Sequence, residues 1–269
     1  MDILSSVILG FVQGVTEFLP VSSTGHLVLT HSLLGIEDSS SLAFDALLHF
    51  ATALAVIVYF FDDIFVLIQT VLRKFGRLPV NEKDFTMVKA IVIGTIPAVI
   101  LGVLLESYME GAFRNPILVA LVLILGSVFF MYAEYLYQNN FHTGEIDIKT
   151  GFKIGLFQVL ALLPGFSRSG ATIAGGMILG LSRTDAARFS FLLAVPVILG
   201  GGSKKMLELI SSHADVAWFP IIAGAATAFV VGLISIHFML TFVKKHTLWP
   251  FIWYRLTLAS FVLFVAFFG

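Results

Sequence analysis

The chain holds 269 residues, 58% hydrophobic and 12% charged, with a formal net charge of −1 and no cysteine. That is too little polar material to cover a soluble domain of this size. The near-neutral charge offers no electrostatic footprint for nucleic acid, and the lack of thiols rules out disulfides, thiolate metal sites and thiol catalysis. The composition points to an all-α polytopic membrane protein, a single integral domain over residues 1–269 with the bilayer as its solvent.

A spanning helix needs about 20 mostly apolar residues. The start, Met1-Asp2-Ile3-Leu4, lacks a basic segment and a small-residue cleavage site, so it reads as mature sequence. The first apolar region, 3–36, is interrupted by Glu17-Phe18-Leu19-Pro20-Val21-Ser22-Ser23-Thr24-Gly25-His26. Spans follow at roughly 42–61, 86–107 and 116–137. The region 151–181 is again interrupted, by Pro164-Gly165-Phe166-Ser167-Arg168-Ser169-Gly170-Ala171-Thr172, and three more spans lie near 186–203, 217–242 and 248–268. The second arms of the two split regions, 24–36 and 169–181, are too short to cross. Irregular backbone at membrane depth is tolerated only where protein or a wet cavity surrounds it. The expectation is therefore six spanning helices plus two re-entrant helix-loop-helix hairpins. The 27 Phe are spread as lipid-facing residues would be, and Trp218, Trp249 and Trp253 fall near span ends as interfacial anchors.

The halves repeat. An offset of 145 pairs Gly10 with Gly155, Gln13 with Gln158, Ser22 with Ser167, Gly25 with Gly170 and Gly35 with Gly180; an offset of 130 pairs Gly94, Ala98 and Gly102 with Gly224, Ala228 and Gly232. Each repeat, about 1–138 and 146–269, holds one hairpin and three spans, an odd number, so the second half enters the bilayer upside down. The small-residue stripes suit a close seam between halves. Arg73, Lys74, Arg77, Lys83, Lys149, Lys153, Arg183, Lys244 and Lys245 gather on one side, against Arg114, Lys204 and Lys205 on the other. The positive-inside rule puts the first group in the cytoplasm and both termini outside.

Polar groups at membrane depth are costly and are functional candidates by default. Glu17 stays ionised there only beside a cation, a metal or several donors; it suits a metal ligand or general base, or it caps the next arm. Gln13 lies one turn earlier on the same face. Ser22, Ser23 and Thr24 precede Gly25 at a helix N-terminus, a ready anion site in which one hydroxyl serves as the cap. His26 suits a base, a nucleophile or an acid. Arg168 carries a fork that matches phosphate oxygens, with Ser167 and Ser169 beside it and Gly165 and Gly170 permitting close backbone approach. A structural ion pair between Arg168 and Glu17 is the alternative. Gln158, facing Leu162 in place of an acid, reads as a packing amide. Asp45 and His49 either pair structurally or line an entrance, and Glu134 and His237 read as polar packing. His31 is set aside as lying near the membrane edge. No P-loop and no H-E-x-x-H helix is present. The serine run is similar to an element of the acid-phosphatase superfamily, but the partner histidine that superfamily needs after Ser167-Arg168 is missing.

Gln13 to His26, with its Glu17 and Pro20-Val21-Ser22-Ser23-Thr24-Gly25-His26, and Pro164 to Thr172 together resemble the two motifs of undecaprenyl-diphosphate phosphatase, the bacitracin-resistance family, over essentially the whole chain. The resemblance implies hydrolysis of undecaprenyl diphosphate to the monophosphate and inorganic phosphate, recycling the carrier lipid for cell-wall polymers. It implies a Mg²⁺ or Ca²⁺ requirement and a site open to the outer face of the plasma membrane. Carried over by position, Glu17, Ser23, His26 and Arg168 are catalytic, with Glu17 also the metal ligand. Gln13, Ser22, Thr24, Gly25, Ser167, Ser169 and Gly170 contact the substrate. Some members carry Glu at the position of Gln13, and the amide concentrates metal binding on Glu17 and the substrate itself. Ser23, His26 or water stands as nucleophile. The other reading is an inverted-repeat transporter or flippase of a lipid phosphate or small anion, which would want the same Arg168 and Glu17. A homodimer is compatible with either.

Overall fold

The computed structural model describes residues 2–36, 41–105, 115–139, 144–211 and 218–268, and these form helices without strands. Arg114 of the sparser basic group and the side chain of Lys205 lie outside the described residues. Helix α1 (Ile3–Phe18) starts at Asp2, whose carboxylate accepts the Ser5 N–H at 2.9 Å. It stops before Pro20, which can neither donate nor continue the ladder. Helix α2 (Ser23–Leu34) follows and ends on Gly35 at φ 66°, a conformation glycine adopts without steric cost. Then come α3 (Ser41–Tyr59), α4 (Phe61–Phe75), α5 (Glu82–Leu104) and α6 (Pro116–Asn139). Helix α7 (Ile148–Val159) runs through a 3₁₀ turn, Leu160–Leu162, into the second polar turn and α8 (Arg168–Ile178). Helices α9 (Arg183–Ser211), α10 (Trp218–Val243) and α11 (Trp249–Phe268) complete the chain.

Five of these helices are long and apolar enough to cross a membrane, which makes this a multi-pass membrane protein. The expected span at 42–61 corresponds to α3, which breaks at Phe60 and turns by 83° into α4, a helix outside the six expected spans. Along α4, Phe61, Phe65, Ile68, Leu72 and Phe75 are exposed on one face, while Asp62, Asp63, Arg73 and Lys74 occupy the other. Such a helix lies along an interface, apolar side to lipid, better than it spans. Arg188 on α9 donates to Asp63 and so ties the first turn of α4 to the bundle.

The two polar turns share one local geometry. Ser22 and Ser167 both sit at positive φ, 75° and 80°, and each hydroxyl caps the following helix by accepting the N–H three residues on, Gly25 at 3.3 Å and Gly170 at 3.2 Å. The helices leading into these turns pack on the other half of the sequence, α1 on α10 and α7 on α5. At both crossings glycine faces glycine. A β-carbon on Gly10 would lie 2.2 Å from the Gly224 carbonyl oxygen, and one on Gly155 would lie 2.2 Å from that of Gly94. In return, a β-carbon on Gly224 would meet the Ser6 carbonyl at 2.8 Å, and one on Gly94 the Gly151 carbonyl at 2.7 Å. The small-residue stripes thus each receive the first arm of a broken helix. Around them Phe18, Phe189, Phe191 and Ile154 are fully buried, with Phe18 set edge-on to Phe191 at 5.4 Å.

Candidate active site

Helical spacing puts Gln13 and Glu17 on one face of α1, and both are buried. Glu17 meets side chains from four segments: the second polar turn, α2, α1 itself and α3. Arg168, from the second polar turn, donates through Nη2 to Oε1 at 2.6 Å. Ser23, from the first turn of α2, donates to Oε2 at 2.7 Å. Gln13 Nε2 donates to the same oxygen at 3.0 Å, and His49 of α3 places Nδ1 3.0 Å from it. The other arm of the guanidinium, Nη1, donates to the Ser190 carbonyl at 3.2 Å, which holds the fork against α9. The two turns, 151 residues apart at this contact, therefore share a single buried ion pair. A charge taken from water survives only if paired and hydrogen-bonded, and here the pairing partner comes from the opposite turn.

The second turn is fastened in other ways. Ser169 donates to the Leu19 carbonyl at 3.2 Å and lies 3.2 Å from the Ser167 hydroxyl. Thr172 and Ser190 share a hydrogen bond at 2.6 Å. Arg255 of α11 is fully buried and serves both turns at once. Its Nη1 donates to the carbonyls of Pro20 (3.3 Å) and Phe166 (3.0 Å), and its Nη2 to those of Leu123 (3.1 Å) and Gly165 (3.2 Å), while Nε reaches the Ser127 hydroxyl (3.2 Å). Gly126 makes room for it, since a β-carbon there would lie 2.2 Å from Nη2.

The family profile described as bacitracin resistance protein BacA matches residues 6–261. The chain is also 44% identical over 257 residues to a protein named undecaprenyl-diphosphatase from Trichlorobacter lovleyi, covering 95% of this chain and 94% of that one. Proteins of the same name from Chloroherpeton thalassium and Alteromonas mediterranea are 40% and 39% identical, covering 98% and 99% of this chain and 96% and 100% of theirs. This chain belongs to the BacA family.

In this BacA-family protein the expected residues divide. Gln13, Glu17, Ser23 and Arg168 converge, and Ser167 and Ser169 stand beside them. Ser22 is spent on capping, and the amides of Gly25 and Gly170 supply its hydrogen bond and that of Ser167. Gly170 also leaves room for the tip of the Phe130 ring, whose Cζ would lie 2.0 Å from a β-carbon there. His26 faces away from the Ser23 hydroxyl: its ring nitrogens reach the Ser22 carbonyl (2.8 Å) and the Tyr254 hydroxyl (2.7 Å). The ambiguous pair on α3 separates, His49 joining Glu17 and Gln13 while Asp45 pairs with His31 at 2.8 Å. Glu134 is structural, accepting Arg183 at two oxygens and the Leu248 N–H. His237 packs against Tyr59. Arg255 and Ser190 carry no local motif. Arg255 was nevertheless visible as a lone cation inside an apolar span, the signal that marks a residue with an internal partner.

Among the described residues no three His, Asp or Glu side chains converge as a cage for a metal. The site does hold two oxygens suited to a hard cation shared with a substrate. One is the Glu17 carboxylate; the other is Oε1 of Gln13, buried without a hydrogen-bond partner. Mg²⁺ is commonly held by one or two protein oxygens plus phosphate oxygens, so the donor set fits an ion that arrives with a diphosphate.

Proposed function

We propose that this protein is an undecaprenyl-diphosphatase, a membrane hydrolase that converts undecaprenyl diphosphate to undecaprenyl phosphate and inorganic phosphate, recycling the carrier lipid for cell-wall synthesis and conferring bacitracin resistance. The observation that carries the reading is the Arg168–Glu17 pair at 2.6 Å with the Ser23 hydroxyl on the same carboxylate, in a chain whose relatives bear that enzyme's name over nearly their full length. Guanidinium, carboxylate and hydroxyl are what cleavage of a phosphoric anhydride needs: a fork for the phosphate oxygens, a proton acceptor and a nucleophile.

On this reading the diphosphate draws Arg168 off Glu17, and the guanidinium neutralises charge developing on the terminal phosphoryl group. Release of the ion pair frees the carboxylate to take the Ser23 proton. Ser23, or a water in its place, attacks the terminal phosphorus, and the bond to the bridging oxygen breaks with undecaprenyl phosphate leaving. If Ser23 attacks, water then cleaves the phosphoserine to inorganic phosphate, with His26 Nε2 as the base that takes the water proton. His49 and Gln13 hold Glu17 in place throughout. Mg²⁺ or Ca²⁺, held by Glu17 and Gln13 Oε1, supplies charge neutralisation of the phosphates when bound.

The finer architecture belongs to the same proposal. The matched glycine crossings and matched serine caps support inverted repeats over about 1–138 and 146–269, each with a re-entrant hairpin. The Lys and Arg distribution supports a plasma-membrane protein with termini and site outward. The test is phosphate release from undecaprenyl diphosphate by purified protein in detergent, with and without EDTA. Release without any membrane gradient is the expected result. No release, with gradient-dependent uptake in vesicles, would make the protein a carrier.

A further inference from the structure

We propose that Tyr254 is the positioning residue of His26, a role that rests on the phosphatase reading. His26 lies in the first turn of α2, with Nδ1 2.8 Å from the Ser22 carbonyl oxygen. A carbonyl only accepts, so Nδ1 carries the hydrogen. In the neutral ring Nε2 is then the sole basic nitrogen, and the Tyr254 hydroxyl, 2.7 Å away, donates to it. The two rings lie parallel, 7° apart with centroids at 5.6 Å, so the tyrosine constrains the plane of the imidazole, while the Ser22 carbonyl fixes its tautomer.

Tyr254 owes this place to its neighbour in sequence. Arg255 pins α11 to the Pro20, Gly165 and Phe166 carbonyls, which belong to the two polar turns, and to Leu123 and Ser127 of α6. A helix held by five such bonds cannot rotate, and the residue before the anchor is delivered to the flank of α2. Tyr254 remains 47% exposed while Arg255 is fully buried. The consecutive pair thus divides the work: the arginine joins the turns, and the tyrosine holds the His26 ring with Nδ1 protonated and Nε2 accepting its hydroxyl hydrogen.

Tyr254→Phe keeps the ring and removes only the hydroxyl. In full-length protein in detergent, turnover of undecaprenyl diphosphate should fall about tenfold in kcat with KM unchanged, the scale of a disturbed acid–base group. Placed on a His26→Ala background, the same substitution should have no further effect, because a residue acting only through His26 has nothing left to act on. ¹⁵N spectra of the imidazoles should report His26 as the Nδ1–H tautomer in both proteins, held by the Ser22 carbonyl, with the Nε2 resonance moved downfield in Tyr254→Phe because that nitrogen has lost its donor. Wild-type kcat in Tyr254→Phe, an equal loss in both backgrounds, or an unmoved Nε2 resonance would each overturn the assignment. The ¹⁵N measurement needs no turnover. It decides the inference even if wild-type protein releases no phosphate, a result that would defeat the enzymatic reading instead.

Discussion

Glu17 is the residue on which the site turns. It is a buried carboxylate, on which donors from α1, α2 and the second polar turn converge, with His49 Nδ1 of α3 3.0 Å away. Two substitutions separate its roles. Arg168→Lys keeps the charge but loses the planar fork that spans Glu17 and the Ser190 carbonyl. Phosphate release should fall by about 100-fold or more while the protein stays folded, as judged by monodisperse elution in detergent; near-normal turnover would remove Arg168 from the chemistry. Glu17→Gln keeps the shape and removes the proton acceptor and the negative charge. It should abolish phosphate release or its dependence on divalent cation, and an unchanged Mg²⁺ titration would strip Glu17 of the metal role. The neighbouring histidines show how little a residue type says alone. His49 sits on the Glu17 carboxylate, His31 pairs with Asp45, and His26 turns to a tyrosine from the last helix.

At the scale of elements, the broken helices are placed by glycine. Helices approach closely in lipid where side chains are smallest, because dispersion and not water exclusion drives their association. Gly10 against Gly224 and Gly155 against Gly94 bring backbone onto backbone at both crossings. Gly155→Leu would thrust a side chain into the Gly94 carbonyl, force α7 away from α5 and shift the turn that carries Arg168. The expected cost is about 1–3 kcal/mol or more, read as a lower melting temperature in detergent together with lost activity; unchanged stability would mean the crossing is looser than drawn. Elements also show where hydropathy misleads. The apolar run near residue 60 continues past the end of α3, but Asp62 and Asp63 give the next helix two faces, and an 83° turn follows. Pattern around the helix, not mean hydropathy along it, distinguishes a helix that lies in an interface from one that spans.

For the whole molecule, orientation is the open physical quantity, and the missing cysteines make it measurable. Single cysteines at Arg77 and Lys244 should react with a membrane-impermeant maleimide only after the cells are opened; labelling of intact cells would reverse the orientation and turn the site inward. Composition, hydropathy and the two Gly- and Ser-rich breaks were enough to read an all-helical membrane protein and to single out Gln13, Glu17, the Ser22-Ser23-Thr24 run, His26 and Arg168 as candidates, because lipid tolerates polar groups only where something repays them. The offset of 145 paired Ser22 with Ser167, and the structure makes each the cap of the helix that follows, since a cap is a local event within a few residues. What no stretch of chain contains is the closure of the site. That Arg168 reaches Glu17 from 151 residues away, that His49 joins them while Asp45 does not, and that Arg255 binds both turns while Tyr254 meets His26 were decided by packing. Hydrogen-bond donors of one helix choose among the acceptors that other helices happen to leave unpaired, and those become known only when the helices are together.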